Sequence, residues 1–222
     1  MRKILFVTDS LGLPRELPDK VIYEKTYLNI LRHYFKQKIP DLEIISISIG
    51  GGSIEDLSRQ LLGYYKATDP DLVIIQSGIV DCSPRMFKKS ELARVQIGPR
   101  TRKVVFKLNQ NFKVKIRKHR KITYTPPKEF EKVSKRLKEI FDDRIYWLGI
   151  LPTSQDYELI VPGISKNVTF YNNLIKKNYQ NQFIDLSTFP FQGISKDHHH
   201  LNEHGHQLIA AHLKALLLSK LK

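Results

Sequence analysis

Short apolar runs of strand length alternate with stretches of helical periodicity along this chain, and that alternation narrows its fold more than any other feature. The runs are KILFV (3–7), LEIISISIG (42–50), DLVIIQSG (71–78), RIYWLGIL (144–151) and QFIDLS (182–187). Each is of strand length and bounded by turn-forming residues or by a helical pattern. Between the first two, KVIYEKTYLNILRHYFKQ (20–37) sets Ile22, Tyr27, Ile30, Leu31 and Tyr34 near helical spacing. SIEDLSRQLLGYY (53–65) opens on Ser53 with Asp56 three residues later, a helix start. Further helical patterns occupy 128–141, 165–179 and 202–221. Strands alternating with helices predict an α/β three-layer sandwich, its mainly five-stranded parallel sheet covered on both faces. The length of 222 residues suits one domain spanning 1–222.

One stretch, from about 93 to 126, departs from this plan. KVVFKLNQNFKVKIRKHRKITY alternates apolar and basic residues at period two, which predicts a basic β-hairpin insertion turning near Asn109–Asn111. The net charge is +15, and the ten lysines and arginines between Arg100 and Lys121, with no acidic residue among them, leave +5 for the other 200 residues. The basicity is thus local, and it fits an anionic partner: nucleic-acid phosphate, a lipid headgroup or an acidic glycan. Phe106, Phe112 and Tyr124 offer stacking faces beside it. A lone cysteine, Cys82, cannot build a disulfide framework within the chain and suits a reducing compartment. The opening MRKILFVTDS has too short an apolar run for a signal peptide, and no segment approaches a membrane span. The expectation is a cytoplasmic protein mature at Met1, with a basic segment able to hold it at the inner membrane face.

In open α/β sheets, ligands bind beyond the carboxyl ends of the strands. Four segments fall there: TDSLG after the first strand, GGGS after the second, SGIVDCSPR after the third and KDHHHLN after the fifth. A serine, a glycine-rich turn and an Asp–His pair would converge on one rim. These are the parts of a serine hydrolase: a nucleophile, main-chain donors for an oxyanion, and a base held by a carboxylate. Taken singly, Ser10 or Asp197 could cap a turn or helix, and Gly50–Gly52 could simply form a strand–helix turn.

Their order along the chain resembles that of the SGNH/GDSL hydrolases. TDSLG is similar to the family's first block, with Ser10 at the nucleophile position and Thr8 where a glycine is usual. GGGSIEDL is similar to the second block, and aligning Asp56 and Leu57 selects Gly51 as the oxyanion-hole glycine. KDHHHLNEHGHQLIA resembles the last block, D-x-x-H-L-N-x-x-G, which places the acid at Asp197 and the base at His200. With FYNNL (170–174), the resemblance runs from residue 5 to 213. The third block, G-x-N-D, falls on Gly78, Ile79, Val80 and Asp81, so the family's asparagine donor is replaced by Val80. Arg85 is the candidate to supply the missing charge. The resemblance implies the family's flavodoxin-like fold and a serine esterase or O-acyltransferase that needs no cofactor. Its substrate would be an acylated small molecule or glycan, with O-acetylated carbohydrate or polysaccharide favoured. The alternative is a weakly active or inactive hydrolase-fold protein that binds an anionic partner through 100–121.

Five of the eight histidines lie in KDHHHLNEHGH (196–206). The run is internal and flows into a core helix, so it is no terminal tag. Structural zinc sites draw on spaced Cys/His sets, whereas His198 and His199 are adjacent and Cys82 is remote in sequence. No metal is therefore expected. Only His200 has the D-x-x-H spacing, which leaves His198, His199, His204 and His206 as rim or helix-surface residues.

Overall fold

A computed structural model describes residues 2–59, 61–95 and 109–221. Five strands form one parallel sheet in the order β2-β1-β3-β4-β5: β1 (Arg2–Thr8), β2 (Leu42–Ser48), β3 (Leu72–Gln76), β4 (Ile145–Leu148) and β5 (Phe183–Ile184). Ile4, Leu5, Phe6 and Val7 are fully buried, and their side chains divide by period two between two cores. Leu5 and Val7 join Val73, Ile75, Ile145 and Trp147 on one face, while Ile4 and Phe6 join Ile74, Tyr146 and Leu148 on the other. Each such side chain contributes about 1.5–3 kcal/mol by leaving water. That double burial is why the strands read as near-continuous apolar runs.

The helices are α1 (Tyr27–Lys38), α2 (Ile54–Ser58), α3 (Ile79–Cys82), α4 (Lys89–Val95), α5 (Gln110–Arg120), α6 (Pro127–Phe141), α7 (Gln155–Ile160), α8 (Ile164–Tyr179) and α9 (Glu203–Lys220). α6 and α8 cover the face of Trp147. α6 starts with Pro127 in its first turn and buries Phe130, Ser134, Leu137 and Phe141 at helical spacing. α1 and α9 cover the opposite face, with Leu31 and Phe35 meeting Ile209, Leu213 and Leu217. The strand order reverses between β1 and β3, and the ends of those two strands open the crevice where such sheets bind ligands. Among the described residues no helix is long and apolar enough to cross a membrane.

The expected hairpin within 93–126 is not what forms over its described second half. Residues 110–120 are the helix α5, and residues 96–108 lie outside the described residues. Asn109 caps α5 by accepting from the Asn111 amide at 2.9 Å, and Lys121 ends it in a left-handed conformation at φ 48°. The alternation misled because cations hold the inner face of this helix. Arg117 donates to the Ile160 carbonyl at 2.8 Å, and Arg120, one turn on, reaches the Met86 carbonyl and pairs with Glu91. Arginines three apart mark a helical face that a reading of apolar residues cannot see.

Candidate active site

β1 delivers Ser10 to the rim. Its chain leaves the buried strand through Asp9, whose amide donates to Gln76 O at 3.0 Å and whose Oδ1 accepts from Leu11 N at 2.9 Å. These two bonds fix a short 3₁₀ turn, Ser10–Gly12, with Ser10 at its head. Burial pushes the Asp9 carboxyl up to about 7, the Leu11 bond opposing and the Asp81 charge assisting, and Oδ2 has no partner.

The last loop reaches the same rim. Leu201 is buried, Asn202 caps α9 by accepting from Gly205 N at 2.9 Å, and the Asn202 amide group donates to Gln192 O at 2.7 Å. A Cβ on Gly205 would run into the Gly193 carbonyl, so only glycine lets α9 approach that segment. Each fixed position of the D-x-x-H-L-N-x-x-G pattern after its histidine thus has a structural task.

Held in this way, His200 Nε2 lies 2.9 Å from Ser10 Oγ, and His200 Nδ1 lies 2.7 Å from Asp197 Oδ2. Asp197 Oδ1 also accepts from the His200 amide at 3.0 Å. Burial works against the Asp197 charge. The His200 hydrogen bond, the neighbouring imidazoles and the His200 amide outweigh it, holding this carboxyl well below the usual range. An ionised Asp197 can only accept, so it selects the tautomer with hydrogen on Nδ1 and leaves Nε2 to accept from the serine hydroxyl. Arg15 closes the set, donating to Asp197 Oδ2 at 3.0 Å with its side chain 13% exposed.

The second and third loops form the opposite wall. Gly51 has φ 67°, a left-handed conformation, while space for a Cβ is open there; the backbone alone demands glycine. Just after it, Ser53 and Asp56 make a capping box at the start of α2. The Ile54 amide donates to Asp81 Oδ1 at 3.0 Å, and Thr125 Oγ1 donates to the same carboxylate oxygen at 2.5 Å. Asp81 also accepts from Ser77 Oγ at 3.3 Å, so one buried carboxyl ties three loops together. Burial raises Asp81 to about 6 against those hydrogen bonds. Val80 is 7% exposed and lines the cleft, with no side-chain donor to offer. Arg85 donates from Nη2 to the Val80 carbonyl at 3.0 Å and lies 4.4 Å over the Tyr124 ring.

Ser10, Gly51, Val80, Arg85, Asp197 and His200 all border one cleft of about 730 Å³, within the size range of small-molecule sites. The residues singled out from the sequence are therefore brought together. The neighbouring histidines divide. His199 also faces the cleft, its ring stacked on Tyr157 at 5.7 Å, and burial lowers it to about 4, the His200 charge assisting and Asp197 opposing. His198 stacks on Tyr157 from 5.8 Å, and His204 is exposed. His206 is not on the surface as expected: it is 1% exposed, and its Nδ1 accepts from the Tyr27 amide at 3.1 Å. It satisfies one of the unpaired amides at the start of α1.

Asp197, His199 and His200 offer ligand atoms within 4.8 Å of one another. Both His200 nitrogens are already engaged, by Ser10 and by Asp197, so a metal there would have to break one of those contacts. Sequence reasoning missed Arg15, which carries no motif and meets Asp197 from 182 residues away. It also missed Asp81 as the link between loops, although that residue stands beside Val80 in the third block.

No protein-family model matches the chain, and no curated protein does. Solved structures do. A lipase/acylhydrolase from Enterococcus faecalis is 16% identical with a TM-score of 0.62, over 95% of this chain and 92% of that one. The acetyl xylan esterase AlAXEase is 18% identical with a TM-score of 0.63, over 96% and 98%. A psychrotrophic esterase, EstA from Pseudoalteromonas sp., is 15% identical with a TM-score of 0.60, over 100% and 99%. At these identities the likeness is one of fold: the described residues share the three-layer α/β fold of these esterases and acylhydrolases.

Proposed function

We propose that this protein is an SGNH-type serine ester hydrolase or O-acyltransferase acting on an acylated carbohydrate, with O-acetyl esters favoured. The observation that carries the proposal is the chain of contacts from Ser10 Oγ to His200 Nε2 at 2.9 Å and from His200 Nδ1 to Asp197 Oδ2 at 2.7 Å. The carbohydrate preference draws on neighbours described as acetylxylan esterases.

In the first half-reaction Ser10 Oγ attacks the ester carbonyl carbon while His200 Nε2 takes the hydroxyl proton. Asp197 holds the imidazole in place and stabilises the imidazolium that forms. The carbonyl oxygen becomes an oxyanion, for which the Ser10 and Gly51 amides are the donors. The intermediate collapses by breaking the bond to the alcohol, which leaves with the proton from His200, and the acyl group stays on Ser10. In the second half, water attacks the acyl-serine and His200 takes its proton. The acid departs and the proton returns to Ser10. A sugar hydroxyl in place of water makes the same step a transfer. Arg15 is a positioning residue for Asp197 in this scheme. Arg85 is the candidate for the charge that Val80 cannot supply.

Val80 also favours a second reading, a hydrolase-fold protein of low activity that binds an anionic partner through 100–121. Loss of a side-chain oxyanion donor costs roughly 10²–10³ in rate. Acetate release from an O-acetylated oligosaccharide separates the two. Wild-type turnover that disappears in Ser10→Ala and in His200→Ala, with both variants folded, supports the enzyme. Equal release by wild type and Ser10→Ala removes the serine mechanism. An inactive wild type that loses anion binding on deletion of 100–121 supports the second reading.

A further inference from the structure

The charge inventory of the Ser10 cleft is lopsided. Three guanidinium groups, Arg15, Arg85 and Arg117, border it, against the single carboxylate of Asp197. Asp197 is already committed to Arg15 and His200. Among the described residues, neither Arg85 nor Arg117 has a carboxylate within ion-pairing distance. Arg120, on the same helix as Arg117, meets Glu91 with two bonds of 2.7 Å. Arg85 and Arg117 are nonetheless held in place. Arg85 is anchored on the Val80 carbonyl at 3.0 Å and on the Tyr124 ring, and Arg117 on the Ile160 carbonyl at 2.8 Å. The Nε atom of each is buried without a hydrogen-bond partner. Buried donors left unpaired cost stability, and a fixed pair of like charges in one cleft adds repulsion. Burial first, and the charge of Arg85 after it, weigh against the protonated form of Arg117. An anion bound in the cleft that both arginines line offsets the repulsion between the two cations.

We propose that Arg117 and Arg85 form an anion subsite within the cleft, so that the ester substrate is an acylated sugar bearing its own carboxylate or phosphate. This rests on the proposed function and narrows its substrate class. It also gives the basic segment a place in the site: α5 lends Arg117 to the cleft, and the cations around it raise the local concentration of acidic substrate. A cleft of about 730 Å³ suits a sugar unit or two rather than a polymer surface. The exposed Lys115, Lys118 and Lys121 would carry any broader attraction for an acidic macromolecule. Guanidinium forks donate to carboxylate and phosphate alike, and the two are distinguished by experiment.

The test is equilibrium binding by calorimetry to full-length Ser10→Ala, which removes turnover from the measurement. The ligands are methyl O-acetyl-galactoside, methyl O-acetyl-galacturonide and O-acetyl-galactose 6-phosphate. The expected result is that at least one acidic sugar binds about tenfold or more tighter than the neutral one, the worth of a charge-assisted hydrogen bond. Whichever acidic ligand gains names the anion. Arg117→Gln in the same background should collapse that ratio towards one, while Lys118→Gln should leave it standing. If Arg117→Gln fails to fold, Arg117→Lys serves, with an intermediate ratio expected because the charge remains and the fork is lost. Equal affinity for neutral and acidic sugars overturns the subsite. So does an equal loss in Lys118→Gln and Arg117→Gln, which would assign the attraction to the outer surface. A wild type that releases no acetate from any of these sugars contradicts the proposed function, and the binding ratio still decides the subsite.

Discussion

Replacing Val80 by asparagine puts an amide where the cleft has a hydrocarbon wall, and the structure sets what this should do. Val80 lies in the four-residue helix α3, 7% exposed, lining the same cleft as Ser10 and Gly51. Asparagine is close to valine in bulk, so the backbone need not move. One well-placed oxyanion donor is worth about 2.7–4 kcal/mol in the transition state. Against this stands the cost of a buried amide that lacks a partner in the resting enzyme, about 1–3 kcal/mol. Part of that cost falls on stability rather than rate, because Val80 also packs in the core beneath α6 and α8. The net expectation is a Val80→Asn enzyme with a lower melting temperature and a rate on a small acetyl ester raised roughly tenfold or more. The assay is initial-rate hydrolysis of 4-nitrophenyl acetate at saturating ester, with circular dichroism melts to verify folding. If Arg85 already supplies the missing charge, Val80→Asn changes little and Arg85→Ala cripples the enzyme. Folded Val80→Asn and Arg85→Ala proteins that both keep the wild-type rate refute the reasoning, because the third loop would then not face the developing charge.

Asp197→Asn should keep the cleft intact but lower kcat by roughly 10⁴, because an amide can stabilise the wrong tautomer of His200; a loss of only a fewfold would show that the pair is structural. Asp9 is held neutral by burial until about pH 7, while in the unfolded chain it ionises near 3.8. The unfolded state therefore loses its proton first, and the stability contributed by Asp9 should fall as pH rises across that window and level off above it, while His199 and His206, both lowered to about 4, act in the opposite direction. Asp81, raised to about 6, acts in the same direction as Asp9 over a narrower span. Urea denaturation at pH 4.5 and pH 8 should show Asp9→Asn gaining on wild type at the higher pH, by a few kcal/mol at most at about 1.4 kcal/mol per unit. Parallel curves at the two values would show that Asp9 ionises freely in the fold.

What the sequence made legible follows from how local each cause is. The strands are readable because Ile4–Val7 and their counterparts are apolar on both faces, a pattern that needs no knowledge of partners. The histidine loop is readable because Asp197, His200, Asn202 and Gly205 act on one another within nine residues. Arg15 stays hidden: nothing near it in the chain marks it, and its meaning lies in a carboxylate 182 residues away. His206 misleads for the same reason, since a histidine on a helix looks exposed until the amide of Tyr27 is found against it. The segment 110–120 failed differently. Its apolar residues follow the strand period, but Arg117 and Arg120 turn the helix towards the body, and polar anchoring leaves no trace in a hydrophobic pattern.

Every step proposed for this cleft depends on Ser10 being a nucleophile activated by His200. A fluorophosphonate ester reports this directly: an activated serine oxygen displaces fluoride from phosphorus and keeps the phosphonyl group, which intact-protein and peptide mass spectrometry can locate. One phosphonyl adduct is expected on wild type, carried by the peptide that contains Ser10, and none on Ser10→Ala or His200→Ala under the same exposure. An unlabelled wild type, or an adduct that persists in folded Ser10→Ala, would contradict this role for Ser10.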